Sequence, residues 1–183
     1  MPHPLRQVHR LDAGKLVLRP VDPDGDAPAL LAIQRAVLEE GEFFITEAHE
    51  LGGGPELKAA TLRQLVAMDN STCLVGLLDR KHVGMVLIQG GMLQRMRHCG
   101  KLEIYVAADA RGHGIGTLLL QSALEWARAH PRLSKLGLNV FSHNERAIAL
   151  YEAHGFRREG YRVGEYRLAD GTLWDDVLMA RAV

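Results

Sequence analysis

The sequence predicts one α/β domain, residues 1–183, built on a mixed and mostly antiparallel sheet with helices on its flanks. The first observation behind this prediction is the stretch LEIYVAADARGHGIGTLLLQSALEWARA, residues 102–129, where a strand pattern, a glycine loop and a helical stripe follow one another directly. The second is that several strand patterns around it are joined by short turns, which is typical of antiparallel pairs. The third is a composition of 47% hydrophobic and 24% charged residues over 183 positions, typical of one globular domain with a full core.

The net charge, the opening residues and the number of cysteines argue against several classes of partner and location. Lys+Arg and Asp+Glu both number 22, so no net charge attracts nucleic acid or a membrane surface. The opening residues, MPHPLRQVHRLD, lack the apolar segment of a signal peptide, and no later run is long enough to span a bilayer. Cys73 and Cys99 are too few for a disulfide framework and suit a reducing compartment. We therefore expect a cytoplasmic protein that binds neither nucleic acid nor membrane and holds no metal.

The first part of the chain is predicted to alternate strand, helix, connection and helix. Residues 15–20, KLVLRP, have the pattern of a short strand. The Asp- and Gly-rich turn of residues 22–26 can cap a helix over residues 27–40, where apolar side chains recur at helical spacing. Residues 42–50 form a connection, and residues 55–69 form a second helix with a proline in its first turn.

Three strands are predicted to follow as an antiparallel meander. Residues 72–78 and 82–89 are apolar and rich in β-forming residues, and residues 79–81 join them into a hairpin. A strand from about residue 97 to residue 107 completes the meander. The central strand therefore ends where the glycine loop begins.

The helix of residues 115–129 has one apolar stripe, and a further strand pattern follows it at residues 135–141. A helix that connects two strands of one sheet is a crossover, so we expect residues 135–141 to run parallel to residues 102–107.

The last part of the chain is predicted to be one helix and two strands. Ser142 and Glu145 match a capping box at the start of the helix, and Gly155 ends it. Residues 156–165 and 174–180 read as the final strands with a turn between them.

The glycine loop predicts an anion site. Gly112, Gly114 and Gly116 permit close approach of a ligand to the backbone, and the helix that follows presents unpaired N–H groups at its positive end. Arg111 adds charge. The dinucleotide motif G-x-G-x-x-G does not fit these glycines, and the Walker motif fails because Thr117 is not preceded by lysine.

The pattern that does fit is R-x-x-G-x-G, residues 111–116, and it resembles the acyl-CoA pyrophosphate loop of the GNAT family of acetyl-CoA-dependent N-acetyltransferases. A second block, LGLNVFSHNERAIALYEAHGF at residues 136–156, is similar to the later half of that fold. A chance strand, loop and helix is the alternative, but the order and spacing of both blocks favour the family.

The resemblance implies acetyl-CoA as cosubstrate and assigns residues to it. The loop backbone would hold the pyrophosphate, and the main chains of the preceding strand would meet the pantetheine arm and the acetyl carbonyl, where that strand splays from its parallel neighbour. These positions are Ile104, Val106, Arg111, Gly112, His113, Gly114, Ile115, Gly116 and Thr117.

Two side chains of the last helix complete the set that the resemblance implies. Asn144 matches the family asparagine that binds the cofactor arm, although a polar residue at a helix start can also be only a cap. Tyr151 matches the tyrosine near the cofactor sulfur, where a phenol can return a proton to the leaving thiolate. A core tyrosine whose hydroxyl is tied off by a hydrogen bond is the alternative.

Glu103 is the first candidate for a catalytic base. It lies on the strand beside the reaction centre and alternates away from the apolar face, although an exposed strand glutamate is common. Glu47 is the second candidate. His98 and His143 fit polar edge positions better than catalytic ones, and Cys99 has no evident base partner that would make it a nucleophile.

The connection after the first helix is expected to form one wall of the acceptor pocket, again by resemblance. Its candidate contacts are Phe43, Phe44, Thr46 and Glu47, and the alternative is a surface loop whose aromatics fill the edge of the core. The acceptor would be a primary amine of a small molecule, a peptide or a protein N-terminus.

Two other functions remain open at this stage: a non-catalytic acyl-CoA-binding or regulatory module on the same fold, and a nucleotide-binding protein with a similar loop. The late aromatics Tyr161, Tyr166 and Trp174 also lead us to expect a homodimer through the C-terminal strands.

Overall fold

The computed structural model describes residues 6–183 and confirms the predicted fold class. Within these residues the strands are β1 (Gln7–Leu11), β2 (Gly14–Pro20), β3 (Thr72–Leu78), β4 (Lys81–Gly90), β5 (Cys99–Val106), β6 (Lys135–Phe141), β7 (Arg157–Arg167) and β8 (Leu173–Ala182). The α-helices are α1 (Pro23–Glu39), α2 (Pro55–Ala67), α3 (Ile115–Ala129) and α4 (Glu145–Ala153). The strands form a single sheet in the order β1-β2-β3-β4-β5-β6-β8-β7, antiparallel at every pair except β5 and β6.

The helices cover the sheet from both sides. One core lies between the sheet and α1 and α2, and it includes Leu30, Met85 and Tyr105. The other core lies against α3 and α4, and it includes Leu119 and Leu136. Because side chains alternate along a strand, β5 contributes to both cores, which gives it a central place in the molecule.

β1 was not predicted. It pairs with β2 in a hairpin whose turn is Asp12-Ala13, with Leu11 opposite Gly14. The strand is at the edge of the sheet and mostly polar, and even its Val8 is 52% exposed, so it lacks the apolar run that the prediction relied on. A turn with Asp and Gly between two extended runs is the signal that could have identified it.

α1 begins four residues earlier than predicted, because the acidic turn is itself the first turn of the helix. Asp22 is the N-cap and accepts a hydrogen bond from the Asp24 N–H at 3.3 Å, with Pro23 as the first helical residue. The carboxylate of Asp26 is buried and receives the Arg19 guanidinium at 2.6 and 2.7 Å and His82 Nε2 at 2.8 Å. These contacts hold the helix start on the sheet.

That network sets the charge of Asp26. Burial raises the pKa of this carboxyl, but hydrogen bonds from Arg19, His82 and the Asp22 N–H outweigh burial and lower the pKa to about 2. Asp26 is therefore ionised throughout the physiological range.

The predicted capping box at α4 is wrong. The N-cap is Asn144, whose Oδ1 accepts a hydrogen bond from the Ala147 N–H at 3.1 Å, and Ser142 lies outside the helix. Asn144 is a better N-cap at this place because it stands directly before the first helical residue. Gly155, with φ +81°, follows the helix end as expected.

The expected homodimer depends on three late aromatic side chains being exposed, and the structure shows that only one of them is. β7 is an edge strand, and Tyr161 on it is 52% exposed. Tyr166 and Trp174, however, are only half-exposed and pack edge-on against Phe141 at 5.4 and 4.9 Å between ring centroids. Among residues 6–183, no helix has the length and apolar character needed to cross a membrane.

Candidate active site

The glycine loop between β5 and α3 presents a row of free backbone donors. Gly112 and Gly114 have φ +84° and +77°, a conformation that favours glycine. The first helical hydrogen bond runs from the Leu118 N–H to the Gly114 carbonyl. Within the described part of the chain, the N–H groups of residues 112–117 have no acceptor. Six free donors at a helix N-terminus have the charge and geometry that suit an anion.

The side chains of this loop leave the donors accessible. A Cβ added to Gly112 or Gly114 would meet nothing within 4 Å, and one on Gly116 would meet only Val106 at 3.7 Å. His113 is exposed, whereas Ile115 is 1% exposed and packs in the core, so only its main chain is available to a ligand.

Backbone groups alternate in direction along β5. The Cys99 carbonyl accepts a hydrogen bond from Gly91, on the β4 side, at 2.9 Å. The His98 carbonyl accepts one from Lys135, on the β6 side, at 3.1 Å. Even-numbered residues of β5 therefore turn their N–H and C=O groups toward β6.

β6 leaves those groups partway along the strand. The parallel ladder runs only from Cys99 to Lys101, while β5 stays paired to β4 as far as Val106. The main chains of Ile104 and Val106 thus face a gap between the two parallel strands. This is the splayed pair that the family resemblance implied, and it opens beside the glycine loop.

Arg111 connects three parts of the site. Its guanidinium forms two hydrogen bonds of 2.6 Å with the carboxylate of Glu40, which follows α1, and Nε donates to the Val106 carbonyl at 3.1 Å. Its carbon Cζ lies 5.0 Å from the centre of the Phe43 ring. The side chain therefore joins the loop to the end of β5 and to the segment after α1, and its predicted role toward a phosphate stays a prediction.

Tyr151 lies on α4 with its ring packed edge-on against Phe156, 5.7 Å between centroids. Burial raises the pKa of Tyr151 to about 12, and the negative charge of Glu103 adds to this rise. Its hydroxyl has no hydrogen bond to any residue in 6–183. The alternative, a core tyrosine whose hydroxyl is held by a protein hydrogen bond, therefore has no support among these residues.

Glu103 lies on β5 with 32% of its side chain exposed. Lys101 Nζ is 3.7 Å away, and the Tyr105 hydroxyl donates to Oε2 at 3.2 Å. Because Leu102 belongs to the core against α3, Glu103 faces the opposite side, toward α1 and α2. Its charge nevertheless reaches Tyr151 on the other side of the gap.

The segment after α1 is the predicted wall of the acceptor pocket, and the structure separates its four candidate contacts into two pairs. Phe44 stacks on Tyr105 with 4.2 Å between ring centroids, and Phe43 lies beneath Arg111. Thr46 and Glu47 are exposed. Glu47 instead forms a reciprocal cap with Glu50 and lies 3.1 Å from His49.

The opposite wall comes from β6, β7 and β8, and sequence reasoning did not identify it. Phe141, His143, Tyr166 and Trp174 form an aromatic cluster, and His143 Nε2 reaches the Glu42 carbonyl at 3.3 Å.

Asp176 is a buried carboxylate of this wall. Its side chain is 1% exposed and accepts a hydrogen bond from Asn139 at 2.6 Å, while its Oδ1 has no partner in the described residues. Because Val177 and Met179 point into the α3 and α4 core, Asp176 and Trp174 share the face of Glu103. This alternation is the signal that could have revealed them.

The remaining candidates lie away from the gap. Cys99 is on the paired part of β5, where its Sγ is 3.3 Å from His98 Nε2. No group of three or more His, Cys, Asp or Glu residues suited to a metal ion occurs within residues 6–183.

Comparison with known proteins identifies the fold. The model of the acetyltransferase (GNAT) family matches residues 37–156. A GNAT-family acetyltransferase from Streptococcus pneumoniae has a solved structure with TM-score 0.87 and 32% identity, covering 92% of this chain and 99% of that one. A phosphinothricin acetyltransferase from Sinorhizobium meliloti, solved in complex with acetyl-CoA, has TM-score 0.78 and 22% identity over 92% of this chain and 88% of that one, which shows a shared fold alone.

A curated relative is the spermidine N(1)-acetyltransferase of Vibrio cholerae, 30% identical over 104 residues. The match covers 57% of this chain and 54% of the relative, so the chain spans about half the length of that protein. The family match covers well over half of the chain and includes the glycine loop, the splayed strands and α4. This chain belongs to the GNAT family of acetyltransferases.

Proposed function

We propose that this protein transfers the acetyl group of acetyl-CoA to a primary amine, by direct attack of the amine on the bound thioester. The observation that carries the proposal is the gap between β5 and β6, which opens beside six free N–H donors of the glycine loop. The donors suit a pyrophosphate. The main-chain groups of Ile104 and the N–H of Val106 suit the amides of an extended pantetheine arm, whereas the Val106 carbonyl is occupied by Arg111 Nε.

Asn144 can serve as both cap and cofactor ligand. Its Oδ1 is used by the Ala147 N–H, but the two N–H groups of Nδ2 have no acceptor within residues 6–183. They are available to a carbonyl of the pantetheine arm. The two interpretations of Asn144 are therefore compatible.

Glu103 is proposed as the base. An acceptor amine is protonated at neutral pH, so it must lose a proton before its nitrogen can attack. The ammonium gives one proton to the Glu103 carboxylate, and the neutral nitrogen forms a C–N bond at the acetyl carbon. The nitrogen then loses a second proton to solvent, and the C–S bond breaks to leave a thiolate that takes up a proton from solvent. Partial exposure of Glu103 then allows it to return the proton to solvent.

Tyr151 is proposed to stabilise the departing thiolate by hydrogen bonding. With its pKa raised to about 12, the phenol stays protonated at every working pH. A thiol has a pKa of about 8.5, so complete transfer from this phenol to the thiolate is unfavourable. A donated hydrogen bond that strengthens as charge develops on sulfur fits these values better than the full proton return expected from the sequence.

The acceptor face favours a cationic amine. Glu103 and Asp176 share this face with the rings of Phe44 and Trp174, and carboxylates with aromatic faces attract ammonium groups. The spermidine-acetylating relative supports a small amine as substrate. The free thiols of Cys73 and Cys99 fit the proposed cytoplasmic location.

A screen for released CoA tests the proposal. The protein is incubated with acetyl-CoA and a panel of polyamines, amino acids, aminoglycosides and peptides, and free thiol is followed over time. We expect at least one cationic amine to accelerate CoA release, and Glu103→Gln to reduce that acceleration. Tight binding of acetyl-CoA without acceleration by any amine would favour the alternative of a non-catalytic acyl-CoA module.

A further inference from the structure

A line of hydrogen bonds runs from α2 through α1 to Glu103. Lys58 Nζ donates to Gln34 Oε1 at 2.7 Å, Gln34 Nε2 donates to the Tyr105 hydroxyl at 3.4 Å, and Tyr105 donates to Glu103 at 3.2 Å. Tyr105 is 3% exposed, and the ring of Phe44 covers it. The line therefore reaches Glu103 from the interior of the protein.

The chemistry of its two ends fixes the direction of every bond. Lys58 has only donors, so it requires the carbonyl oxygen of Gln34 and leaves the amide N–H groups for Tyr105. The Tyr105 oxygen accepts that bond, so its own proton is free for Glu103, which accepts as a carboxylate. All three bonds donate toward Glu103, and bonds aligned in this way polarise one another.

We propose that Tyr105, Gln34 and Lys58 are positioning residues that hold the Glu103 carboxylate in the orientation needed to remove the acceptor's proton. The inference rests on the proposed function, in which Glu103 is the base. The hydrogen bond from the buried Tyr105 hydroxyl limits rotation of the carboxylate, which the 32% exposed side chain would otherwise have.

Other ionisable groups around Glu103 act differently. Lys101, on the same strand, is 3.7 Å away and 54% exposed, so water screens its charge. Tyr151, from α4, is neutral because its pKa is raised. Burial lowers the pKa of Lys58, and the charge of Glu103 offsets part of that decrease. Burial and the charge of Glu103 both raise the pKa of Tyr105. Among these groups, only the hydrogen-bond line through Tyr105 contacts the buried side of Glu103.

NMR relaxation of the Glu103 side chain tests the inference without any acceptor. The protein is labelled with ¹³C-glutamate, and comparison with Glu103→Gln assigns the signal. Tyr105→Phe keeps the ring and its stacking on Phe44, and it is expected to lower the order parameter of the Glu103 Cγ group because the donor that limits its rotation is lost. Lys58→Met and Gln34→Met should give smaller decreases of the same order parameter.

Tyr161→Phe is the matched control, because its hydroxyl donates to Asp175 on the far strands at 2.6 Å and removal leaves Glu103 untouched. An unchanged Glu103 order parameter in Tyr105→Phe overturns the inference. An unchanged order parameter in both Lys58→Met and Gln34→Met overturns the part beyond Tyr105. These two variants keep the inference testable if Tyr105→Phe does not fold.

The separation of kcat from KM with an accepted amine is the second readout. Tyr105→Phe should lower kcat by about tenfold with the KM for the amine and the melting temperature little changed, because a freely rotating base is seldom aligned with the amine proton. A merely structural role of Tyr105 would lower the melting temperature and leave the kcat of the folded fraction unchanged, and that result would overturn the inference while acetyl transfer remained. Failure of the proposed function would instead appear as no amine acetylated by the wild type.

Discussion

Tyr151 combines two properties that the sequence could not supply together. The family pattern places it seven residues after Asn144, but only the fold brings it within the electrostatic influence of Glu103, which comes from another element. Its hydroxyl is free of hydrogen bonds to residues 6–183, and its ring is anchored on Phe156. A fixed ring with a free donor is what stabilisation of a leaving group requires.

Tyr151→Phe is expected to lower turnover by about 10²-fold, the usual cost of one donor to a developing charge. The acetyl-CoA dissociation constant and the melting temperature should change little, because the ring remains and no protein hydrogen bond is lost. Steady-state kinetics, calorimetry and thermal unfolding on one preparation measure all three. A variant with wild-type turnover under conditions where chemistry limits the rate would remove Tyr151 from the mechanism.

The residues that sequence reasoning missed are those defined by distant contacts. Tyr105 and Gln34 are 71 positions apart, and Lys58 and Gln34 are 24 apart, so no local spacing relates them. Glu103 was predicted because it alternates with core residues of its own strand. The same alternation places Tyr105 beside it, but the partners on α1 and α2 follow only from the packing of helices on the sheet.

At the scale of elements, the loop between β5 and α3 is the feature that the sequence predicted best. Three glycines before a helical stripe indicate free donors, and the φ values of Gly112 and Gly114 agree. Gly116 differs from these two because it lies within α3 and has no positive φ. A side chain there affects the approach of a ligand without straining the backbone.

Gly116→Ala is therefore expected to weaken acetyl-CoA binding by about tenfold or more, as for a lost hydrogen bond to a charged phosphate, while the fold gains helix propensity. The added Cβ makes only an ordinary contact with Val106. Gly160→Ala, on β7, is the control for a glycine outside the site, because it too lacks a positive φ and an added Cβ there makes only ordinary contacts with Leu178. Calorimetry that finds equal affinity in wild type and Gly116→Ala would exclude the loop as the phosphate site.

The N-terminal turn of α1 gives a pH-dependent stability. The pKa of Asp26 is about 2 in the folded protein, below its ordinary value of 3.8. The stabilisation is therefore complete above pH about 4 and is lost as pH falls through about 2, with a total of about 2 kcal/mol. Urea unfolding from pH 7 to pH 2 should show this loss in the wild type and a much weaker one in Asp26→Asn.

Asp109→Asn is the control for that series, because Asp109 pairs with Lys81 at the surface with 61% of its side chain exposed. Its removal should leave the slope of stability against pH close to wild type. The same slope in the wild type and in Asp26→Asn would show that the Asp26 network is not what acid disrupts.

Element boundaries were harder to predict than element types, for identifiable reasons. The start of α1 was misplaced because aspartate and glycine favour both turns and first helical turns, and the buried pairing of Asp26 with Arg19 decides between them. At α4, two possible caps stood two residues apart, and the bond from Ala147 selects Asn144. β1 has too few buried side chains for a periodic pattern to be visible.

At the scale of the whole molecule, the sheet is covered unevenly. α1 and α2 lie over one face toward β5, and the same face of β6 and β8 carries the Asp176 and Phe141 wall. The gap between β5 and β6 joins this acceptor face to the α3 and α4 side, where the glycine loop and Tyr151 lie. Cofactor and acceptor can thus meet at the gap from opposite sides.

The homodimer remains a prediction, which now depends on the exposed edge strand β7 alone. β7 is a long edge strand on which Val163 is 82% exposed and Tyr161 52% exposed. If two copies join through β7, Val163→Lys should shift the protein to monomer, because charge on an edge strand opposes pairing. Light scattering across micromolar concentrations measures this, and a monomeric wild type would contradict the prediction.

Product analysis with isotope-labelled acetyl-CoA tests direct acetyl transfer to an amine most directly. The protein, the labelled cosubstrate and the amine that accelerates CoA release are mixed, and small molecules and intact protein are both analysed by mass spectrometry. Direct transfer predicts one labelled acetyl group on the amine for each CoA released, with no label on the protein. Released CoA without acetylated amine, or a labelled protein chain as intermediate, would contradict it.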